Sequence, residues 1–337
     1  MSAREILNYI AAHKKTIAVD TLKIAAACMC AVLAADALGL EFYLSAGIIA
    51  ILSIQPTKKE TIRTAAGRFL AFICAVLIAL ASFTLLGYNL GGFAVYIVCF
   101  IAVCLCFKWN SAMAMDSVLI THFLSVGNMS PRMILNEFLI FCIGTLAGIA
   151  VNSSLKKDTA RVEKLKDDAD SQIRSILYRM SERIVTRDVT DYNGHCFSVL
   201  WDDLRKAQNM AETNYMNVYA TDDLYDVKYL EMRNDQCHVL YEMYKTVRRL
   251  NTTPVQARKI SAFLRKVSEE YHKDNTVAGL IEDLNQLSLA MKNEPMPVNR
   301  AEFEDRARLF TLISLLEEFL DIKKQFMLQY GGRNPAV

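Results

Sequence analysis

The sequence has no excess of either charge, and its polar half has neither a phosphate-binding loop nor a strand pattern. Its 38 Lys and Arg residues nearly balance its 36 Asp and Glu residues, so a nucleic-acid partner is not indicated. Beyond residue 154 no glycine-rich loop precedes a helix, as nucleotide-binding motifs require. No stretch there alternates apolar and polar residues with the period of two that half-buried strands show. Helices are therefore the predicted secondary structure.

The chain also lacks the features of a secreted, disulfide-linked protein. Seven of its nine cysteines lie inside apolar runs, where a thiol behaves as a small hydrophobic group; only Cys196 and Cys237 lie in polar sequence. A disulfide framework is typical of short secreted chains, so reduced thiols are expected. The first 16 residues carry charges throughout and show no basic, apolar and small-residue succession. A cleavable signal peptide is therefore not predicted.

Charge is distributed unevenly along the chain. The first 152 residues contain 10 Lys and Arg and 7 Asp and Glu, whereas the remainder contains 28 and 29. A membrane helix needs about 20 mostly apolar residues to cross about 30 Å of hydrocarbon. The predicted fold is all-α, with a six-helix membrane domain over residues 1–154 and a cytoplasmic helical bundle over residues 155–337. The six segments span about 17–40, 42–55, 69–87, 92–107, 110–127 and 133–153.

Basic residues predict the orientation of these segments. They collect on alternate links, and the opposite set of links holds Arg132 alone. Because cytoplasmic links carry the excess of Lys and Arg, both termini are expected in the cytoplasm, and the protein in the plasma membrane. The basic set comprises Lys14, Lys15, Lys58, Lys59, Arg63, Arg68, Lys108, Lys156, Lys157, Arg161 and Lys164.

The second segment is interrupted. Residues 42–54 would form only about 20 Å of helix, and Pro56 cannot continue its hydrogen bonding. Thr57 and Glu60 have the spacing of a capping box, so a new helix is predicted to start there and to continue through Arg68. The break either lies at the membrane interface as a basic turn or forms a polar vestibule in which a helix N-terminus meets an anion. The vestibule residues would be Gln55, Pro56, Thr57, Lys58, Arg63 and Arg68.

Ionisable residues within or beside the apolar runs are costly, and five of them are candidates. Asp20 and Lys23 have the i,i+3 spacing of an ion pair, and Asp36 is either interfacial or functional. Asp116 and His122 are six positions apart and do not share a helix face. Each either bonds to a neighbouring helix or serves in proton transfer or binding of an anionic substrate.

A small-residue motif closes the sixth segment. Gly144 and Gly148 form a GxxxG pattern, which permits close helix approach. The contact could lie within one chain or between two. Since six helices leave little room for a pathway, a homo-oligomer is considered, and its interface is sought at this face.

The stretch GIIAILSIQPTKKETIRTAAGRFLAF at residues 47–72 resembles the signature of the bacterial aromatic acid exporter family, relatives of the fusaric acid resistance group. Gln55, Pro56, Thr61 and Arg68 occupy the matching positions. The six segments, the GTLAG helix and the helical tail fit the same family. Here Phe69-Leu70-Ala71-Phe72 follows Arg68, which departs from the Gly-Thr of fusaric-type relatives. The resemblance implies export of aromatic or related carboxylic acids.

The polar half is predicted to be helical throughout. His195-Cys196 and Cys237-His238 have no second ligand pair, so no metal or cofactor is predicted. Tyrosines such as Tyr215, Tyr219, Tyr225 and Tyr229 are either packing residues or the lining of a pocket. In such a pocket Arg233, Arg248 or Arg249 would meet a ligand carboxylate. Helices are expected from Ser154 and over about 197–219, 224–250, 254–272, 276–291 and 300–330.

Two functions remain from these observations. The first is a plasma-membrane exporter of small organic anions embedded in the lipid bilayer, for which proton antiport is the coupling considered. The second is a membrane-anchored sensor or assembly protein whose soluble bundle carries the binding activity. An enzyme is not predicted, because the sequence has no constellation of nucleophile, metal ligands or cofactor motif.

Overall fold

The computed structural model describes residues 3–154, 157–186, 193–218, 224–273 and 275–331. Helices form throughout these ranges and strands do not occur in them, which confirms the all-α class. Lys156 and Tyr219, named above, lie outside the described residues. The helices are α1 (Ala3–Ala37), α2 (Leu44–Ser53), α3 (Lys58–Leu86), α4 (Leu90–Phe107), α5 (Met113–Val126), α6 (Pro131–Ser153), α7 (Thr159–Thr186), α8 (His195–Met216), α9 (Tyr225–Arg248), α10 (Val255–Glu270), α11 (Ala278–Lys292) and α12 (Arg300–Tyr330).

The chain forms two compact units. The first comprises Met1–Lys157 with Met216–Ala220, and the second comprises Asp158–Tyr215 with Thr221–Val337. Each has its own hydrophobic core: the first unit is built around α1–α6 and the second around α7–α12.

Four helices of the first unit are long and apolar enough to cross a membrane: the Ile17–Ala37 part of α1, and α3, α4 and α6. The other two are shorter, with 10 residues in α2 and 14 in α5. A helix therefore lies at each of the six predicted places, but the number of membrane crossings stays a prediction. The helix that contains the third segment begins at Lys58 and runs unbroken for 29 residues, which confirms the start predicted from the capping box.

The GxxxG motif of α6 packs against α2. A Cβ on Gly144 would meet the carbonyl oxygen of Ala46 at 2.6 Å, and one on Gly148 would meet Cβ of Ser53 at 2.6 Å. The glycines thus allow two backbones of the same chain to approach closely. Of the two contacts that the sequence left open, the one within a single chain is therefore present, and a homo-oligomer stays a prediction.

The second unit confirms the predicted series of amphipathic helices. Arg233 is fully buried there, and its Nη2 donates to Asp170 Oδ2 at 2.9 Å. The hydroxyl of buried Tyr229 donates to the same carboxylate oxygen at 2.6 Å. Burial raises the pKa of Tyr271, which also contacts Arg233, to about 12. Of the two alternatives for Arg233, a ligand-binding role is therefore wrong, because the partner of the guanidinium is Asp170 of the protein itself.

Candidate translocation site

The site begins at the break between α2 and α3. Ile54 is extended, with φ −75° and ψ 121°, and Thr57 caps the next helix with φ −137° and ψ 159°. Thr57 Oγ1 accepts from Glu60 N at 3.4 Å, which confirms the predicted cap. Pro56 lies between them, and since its nitrogen carries no hydrogen the helix cannot continue through it.

Arg68 reaches back from α3 to this break. Its side chain is buried, and Nη1 donates to the carbonyl oxygen of Leu52 at 2.9 Å and to Ser53 Oγ at 3.4 Å. Nε donates to the carbonyl oxygen of Ser111 at 3.2 Å. These acceptors are neutral, so the protein gives the guanidinium no hydrogen bond to a carboxylate among the described residues. Arg68 thus places a positive charge beside the last turn of α2.

Asn152, near the end of α6, closes the other side of the break. Its Nδ2 donates to the carbonyl oxygen of Gln55 at 2.7 Å and to Thr61 Oγ1. Asn152 is buried, and a buried carbonyl without a donor is costly. The exposed backbone of an interrupted helix is therefore satisfied by side chains from α3 and α6.

Asp116 on α5 is the least satisfied polar group near the site. Its side chain is fully buried, and within the described ranges neither carboxylate oxygen has a hydrogen-bond partner. Asp116 lies within electrostatic range of Arg68. A buried, unbonded carboxylate is stable only when it is protonated or paired with a cation. Asp116 and Arg68 are thus a carboxylate and a guanidinium that lie near one another but are not joined by a hydrogen bond.

His122 belongs to a separate polar cluster between α2, α5 and α6. Its Nδ1 lies 2.6 Å from Glu137 Oε2, and its Nε2 lies 3.2 Å from Ser45 Oγ. Asn136 Nδ2 donates to the other oxygen of Glu137 at 3.0 Å. The ring of Phe42 stacks on the imidazole of His122, with 4.1 Å between the ring centroids. The backbone of Phe42 has a left-handed φ of 57°.

Phe42 and its neighbours show that this cluster also holds a link in place. A bulky residue in the left-handed region is strained, and such strain persists where the surroundings enforce it. Asn136 Oδ1 accepts from Glu41 N at 2.8 Å, and its Nδ2 donates to the carbonyl oxygen of Glu41 at 3.0 Å. The link between α1 and α2 is therefore fixed to α6 by hydrogen bonds and to α5 by the stacked ring.

The remaining predicted residues lie elsewhere. Asp20, Lys23 and Asp36 on α1 are exposed, and no salt bridge joins Asp20 to Lys23. Arg63 on α3 is exposed as well, and Lys58 is half-buried at the start of that helix. The structure thus brings Gln55, Pro56, Thr57, Lys58 and Arg68 together at one break, with Asp116 nearby.

Several contributors were not predicted from the sequence, among them Ser53, Asn152 and Glu137. Ser53 and Asn152 are ordinary neutral residues at helix ends, and nothing in their local sequence distinguishes them. Glu137 meets the criterion that singled out Asp116, an acidic residue within an apolar run. No group of three or more His, Cys, Asp or Glu side chains placed to hold a metal occurs in the described part of the chain.

Comparison with known proteins gives the family. Residues 15–155 match "Aromatic acid exporter family member 1", and residues 159–324 match "Putative aromatic acid exporter C-terminal domain". "Uncharacterized protein YqjA" of Bacillus subtilis (strain 168) is 26% identical over 310 residues, which cover 91% of this chain and 95% of that protein. A crystal structure of a "putative membrane protein" from Clostridium difficile 630 is 26% identical, with a TM-score of 0.46, and covers 51% of this chain and 99% of its own. The chain is a helical membrane protein that belongs to the aromatic acid exporter family.

Proposed function

We propose that this protein exports small aromatic acids across the bacterial plasma membrane and that a proton takes part in the transport cycle. Family membership supports the general class, a membrane exporter that is not an enzyme. The observation that carries the finer proposal is the bare, fully buried carboxylate of Asp116 near the guanidinium of Arg68 at an interrupted helix. Interrupted helices of this kind are typical of transporter binding sites.

Arg68 would be the group that recognises the substrate. A guanidinium binds a carboxylate in a planar, two-point arrangement, and its present acceptors, Leu52 and Ser53, are neutral. The partial positive charge at the N-terminus of α3, near Thr57, would add attraction for an anion. A substrate carboxylate would therefore gain a charge-assisted bond that the carbonyl oxygens do not supply.

Asp116 would link the proton to the substrate. One guanidinium cannot serve as the counter-ion of two buried carboxylates, because like charges in a low-dielectric site repel each other. A substrate carboxylate on Arg68 is compatible with a neutral, protonated Asp116, whereas an ionised Asp116 competes for the same guanidinium. Proton occupancy and substrate occupancy are then linked, and transport depends on pH.

The proposal includes six membrane crossings with both termini and the second unit in the cytoplasm. The two short helices are α2, of about 15 Å, and α5, of about 21 Å. Each places much of its length inside the unit: Ser45, Ala46, Gly47, Ile49, Ala50 and Ser53 of α2 are buried. Since α1, α3, α4 and α6 are the long apolar helices, the short ones need not face a full thickness of lipid.

Efflux from proteoliposomes tests the function. Proteoliposomes that contain the protein would be loaded with labelled aromatic acids from a panel. Efflux of each acid would be measured without a pH gradient and with a gradient of each sign. Asp116→Asn is expected to remove the response to the gradient, and Arg68→Gln to abolish efflux. Asp36→Asn and Arg132→Gln make the same charge changes at exposed positions and are expected to keep efflux. Silence across the panel, or unaltered efflux in both site variants, would refute the proposal.

A further inference from the structure

A cavity lies between α8 and α9 in the second unit, remote in sequence from the translocation site. Its volume is about 460 Å³, within the range of small-molecule sites. Aromatic rings separate the two helices beside it: Trp201 and Tyr241 have ring centroids 5.3 Å apart, and Phe197 and Tyr241 5.1 Å. The cavity extends along α8 from these rings, from Trp201 to Gln208.

The inner surface of the cavity is apolar. Leu204 on α8 and Leu230 on α9 line it and are 2% and 1% exposed. The half-buried indole of Trp201 also lines it. Flat aromatic and branched apolar groups together suit a planar ring, which can stack on the indole and cover the leucines.

Two polar atoms of the cavity residues have no hydrogen-bond partner. They are Nε1 of Trp201, which can only donate, and Oε1 of Gln208, which can only accept. The amide nitrogen of Gln208 is already used, since it donates to Glu212 Oε1 at 2.8 Å. The two residues are seven positions apart on α8, hence on one face and separated by about 10 Å along the helix.

The rim of the cavity carries a positive charge, the guanidinium of Arg205, whose present partner is a surface carboxylate. Arg205 lies one turn beyond Trp201 and pairs with Asp202 of the same helix at the surface. Across the cavity, Glu231 pairs with Lys228 at 2.6 Å, also at the surface. Exposed ion pairs of this kind contribute little to stability, so Arg205 can exchange its partner for a ligand carboxylate.

We propose that this cavity binds a small aromatic carboxylic acid that carries a hydrogen-bond donor on its ring. The carboxylate accepts from Arg205 and from the indole N–H of Trp201. The ring covers Leu204 and Leu230, and its donor bonds to Oε1 of Gln208. The inference does not rest on the proposed transport function, since the site lies wholly within the second unit. In an exporter it would allow the soluble unit to respond to the acids that the membrane unit carries.

Fluorescence titration of the full-length protein in detergent tests this site. The chain has two tryptophans, so Trp109→Phe leaves Trp201 as the reporter. The probes are 4-aminobenzoate and 4-methylbenzoate, which have similar shape but differ in the ring donor. Saturable quenching is expected for 4-aminobenzoate, with affinity at least about tenfold higher than for 4-methylbenzoate, because the latter leaves Gln208 unpaired.

Four variants distinguish this site from non-specific binding and from binding in the membrane unit. Gln208→Met should remove the preference for 4-aminobenzoate. Gln286→Met should keep it and is the matched control, because Gln286 donates to a glutamate one turn away, Glu282, at an exposed position of α11. Arg205→Gln should weaken both probes without affecting folding, since the side chain is exposed. Absence of saturable quenching, or a preference that survives in Gln208→Met, would overturn the proposal. So would loss of quenching in Arg68→Gln, because that result places the binding in the membrane unit.

Discussion

At the scale of single residues, two buried carboxylates of the first unit differ in what surrounds them. Both oxygens of Glu137 are engaged, one by His122 at 2.6 Å and one by Asn136 at 3.0 Å, whereas Asp116 has no partner. A carboxylate held on both sides is a structural element, and a bare one can change its state. We therefore propose a structural role for Glu137 and, as in the proposed function, a transport role for Asp116.

A double-mutant cycle tests the structural role of the His122 and Glu137 pair. His122→Phe should lower the free energy of unfolding by about 3–5 kcal/mol, because it leaves Glu137 buried with one partner fewer. Adding Glu137→Leu should recover much of this loss, since neither polar group then remains. Unfolding by SDS in mixed micelles measures both effects. Losses that simply add in the double variant would contradict a direct coupling.

Asp305 in the second unit gives a pH-dependent prediction. Its buried carboxylate accepts from the backbone N–H of Asn251 at 3.2 Å and of Thr252. Burial alone would raise the pKa of Asp305, but hydrogen bonds from Thr252 and Asn251 outweigh it and leave the pKa below its ordinary value. A lowered native pKa means that the stabilisation is fully present above the unfolded pKa of about 3.9 and is lost as the pH falls through the native pKa.

Asp305→Asn should therefore destabilise the second unit at neutral pH by about 1–3 kcal/mol, the cost of weakened bonds to buried donors. The difference from the unmodified protein should shrink as the pH falls below about 4. Urea unfolding followed by far-ultraviolet circular dichroism at a series of pH values measures this. Asp321→Asn, at an exposed position of the same helix, serves as the control. A difference that stays constant from pH 7 to pH 3 would show that the charge of Asp305 is not involved.

The sequence singled out Asp116 and His122 because each is ionisable within an apolar run, and Arg68 because it follows the interrupted second segment and fits the family motif. These are local properties. The sequence could not predict their partners. His122 meets Glu137 from the next helix, and Asn152 meets Gln55 across 97 positions of sequence. Such contacts depend on how the helices pack, which one sequence taken alone does not reveal. Glu137 itself carried the same local signal as Asp116.

At the scale of elements, the boundary of α3 was predictable from Pro56, Thr57 and Glu60, since breaker and cap act within four residues. The end of α2 followed from Pro56 to within two residues. The partners of its last carbonyl groups did not, because they are distant in sequence: Arg68 bonds to Leu52 and Asn152 to Gln55. The direction of the GxxxG face was likewise open, since glycine spacing permits close approach without naming the neighbour.

Substitution at that face tests the contact between α2 and α6. Gly144→Ala should destabilise the first unit by about 1–3 kcal/mol, since its Cβ would lie 2.6 Å from a carbonyl oxygen and from a side-chain carbon of α2. Gly67→Ala is the matched control: its nearest neighbour is a ring carbon of Trp109 at 3.3 Å. Its effect should stay below about 1 kcal/mol, because loss of a helical glycine offsets the closer contact. Equal effects in SDS unfolding would contradict the close packing.

At the scale of the whole molecule, the short helices α2 and α5 determine the topology. If both cross the membrane, the links after α2 and α4 lie on the cytoplasmic side with Lys58 and Lys108. If neither crosses, α1, α3, α4 and α6 alone span it, and Lys108 moves to the outside while the link at Tyr88 moves inside. The positive-inside rule favours six crossings. Both arrangements keep the two termini on one side, so the termini alone do not distinguish them.

Cysteine labelling in intact cells separates these topologies. In a background that lacks the nine native cysteines, Tyr88→Cys, Lys108→Cys and Arg132→Cys place single thiols on three links with exposed side chains. Six crossings predict that a membrane-impermeant maleimide labels positions 88 and 132, and labels position 108 only after permeabilisation. Four crossings predict the reverse for positions 88 and 108: position 108 is labelled from outside, and position 88 only after permeabilisation. Position 132 lies outside in both topologies and is the internal control. External labelling at position 108 would contradict six crossings and would also remove the cytoplasmic approach of substrate to Arg68, because the α2–α3 break would then face outward.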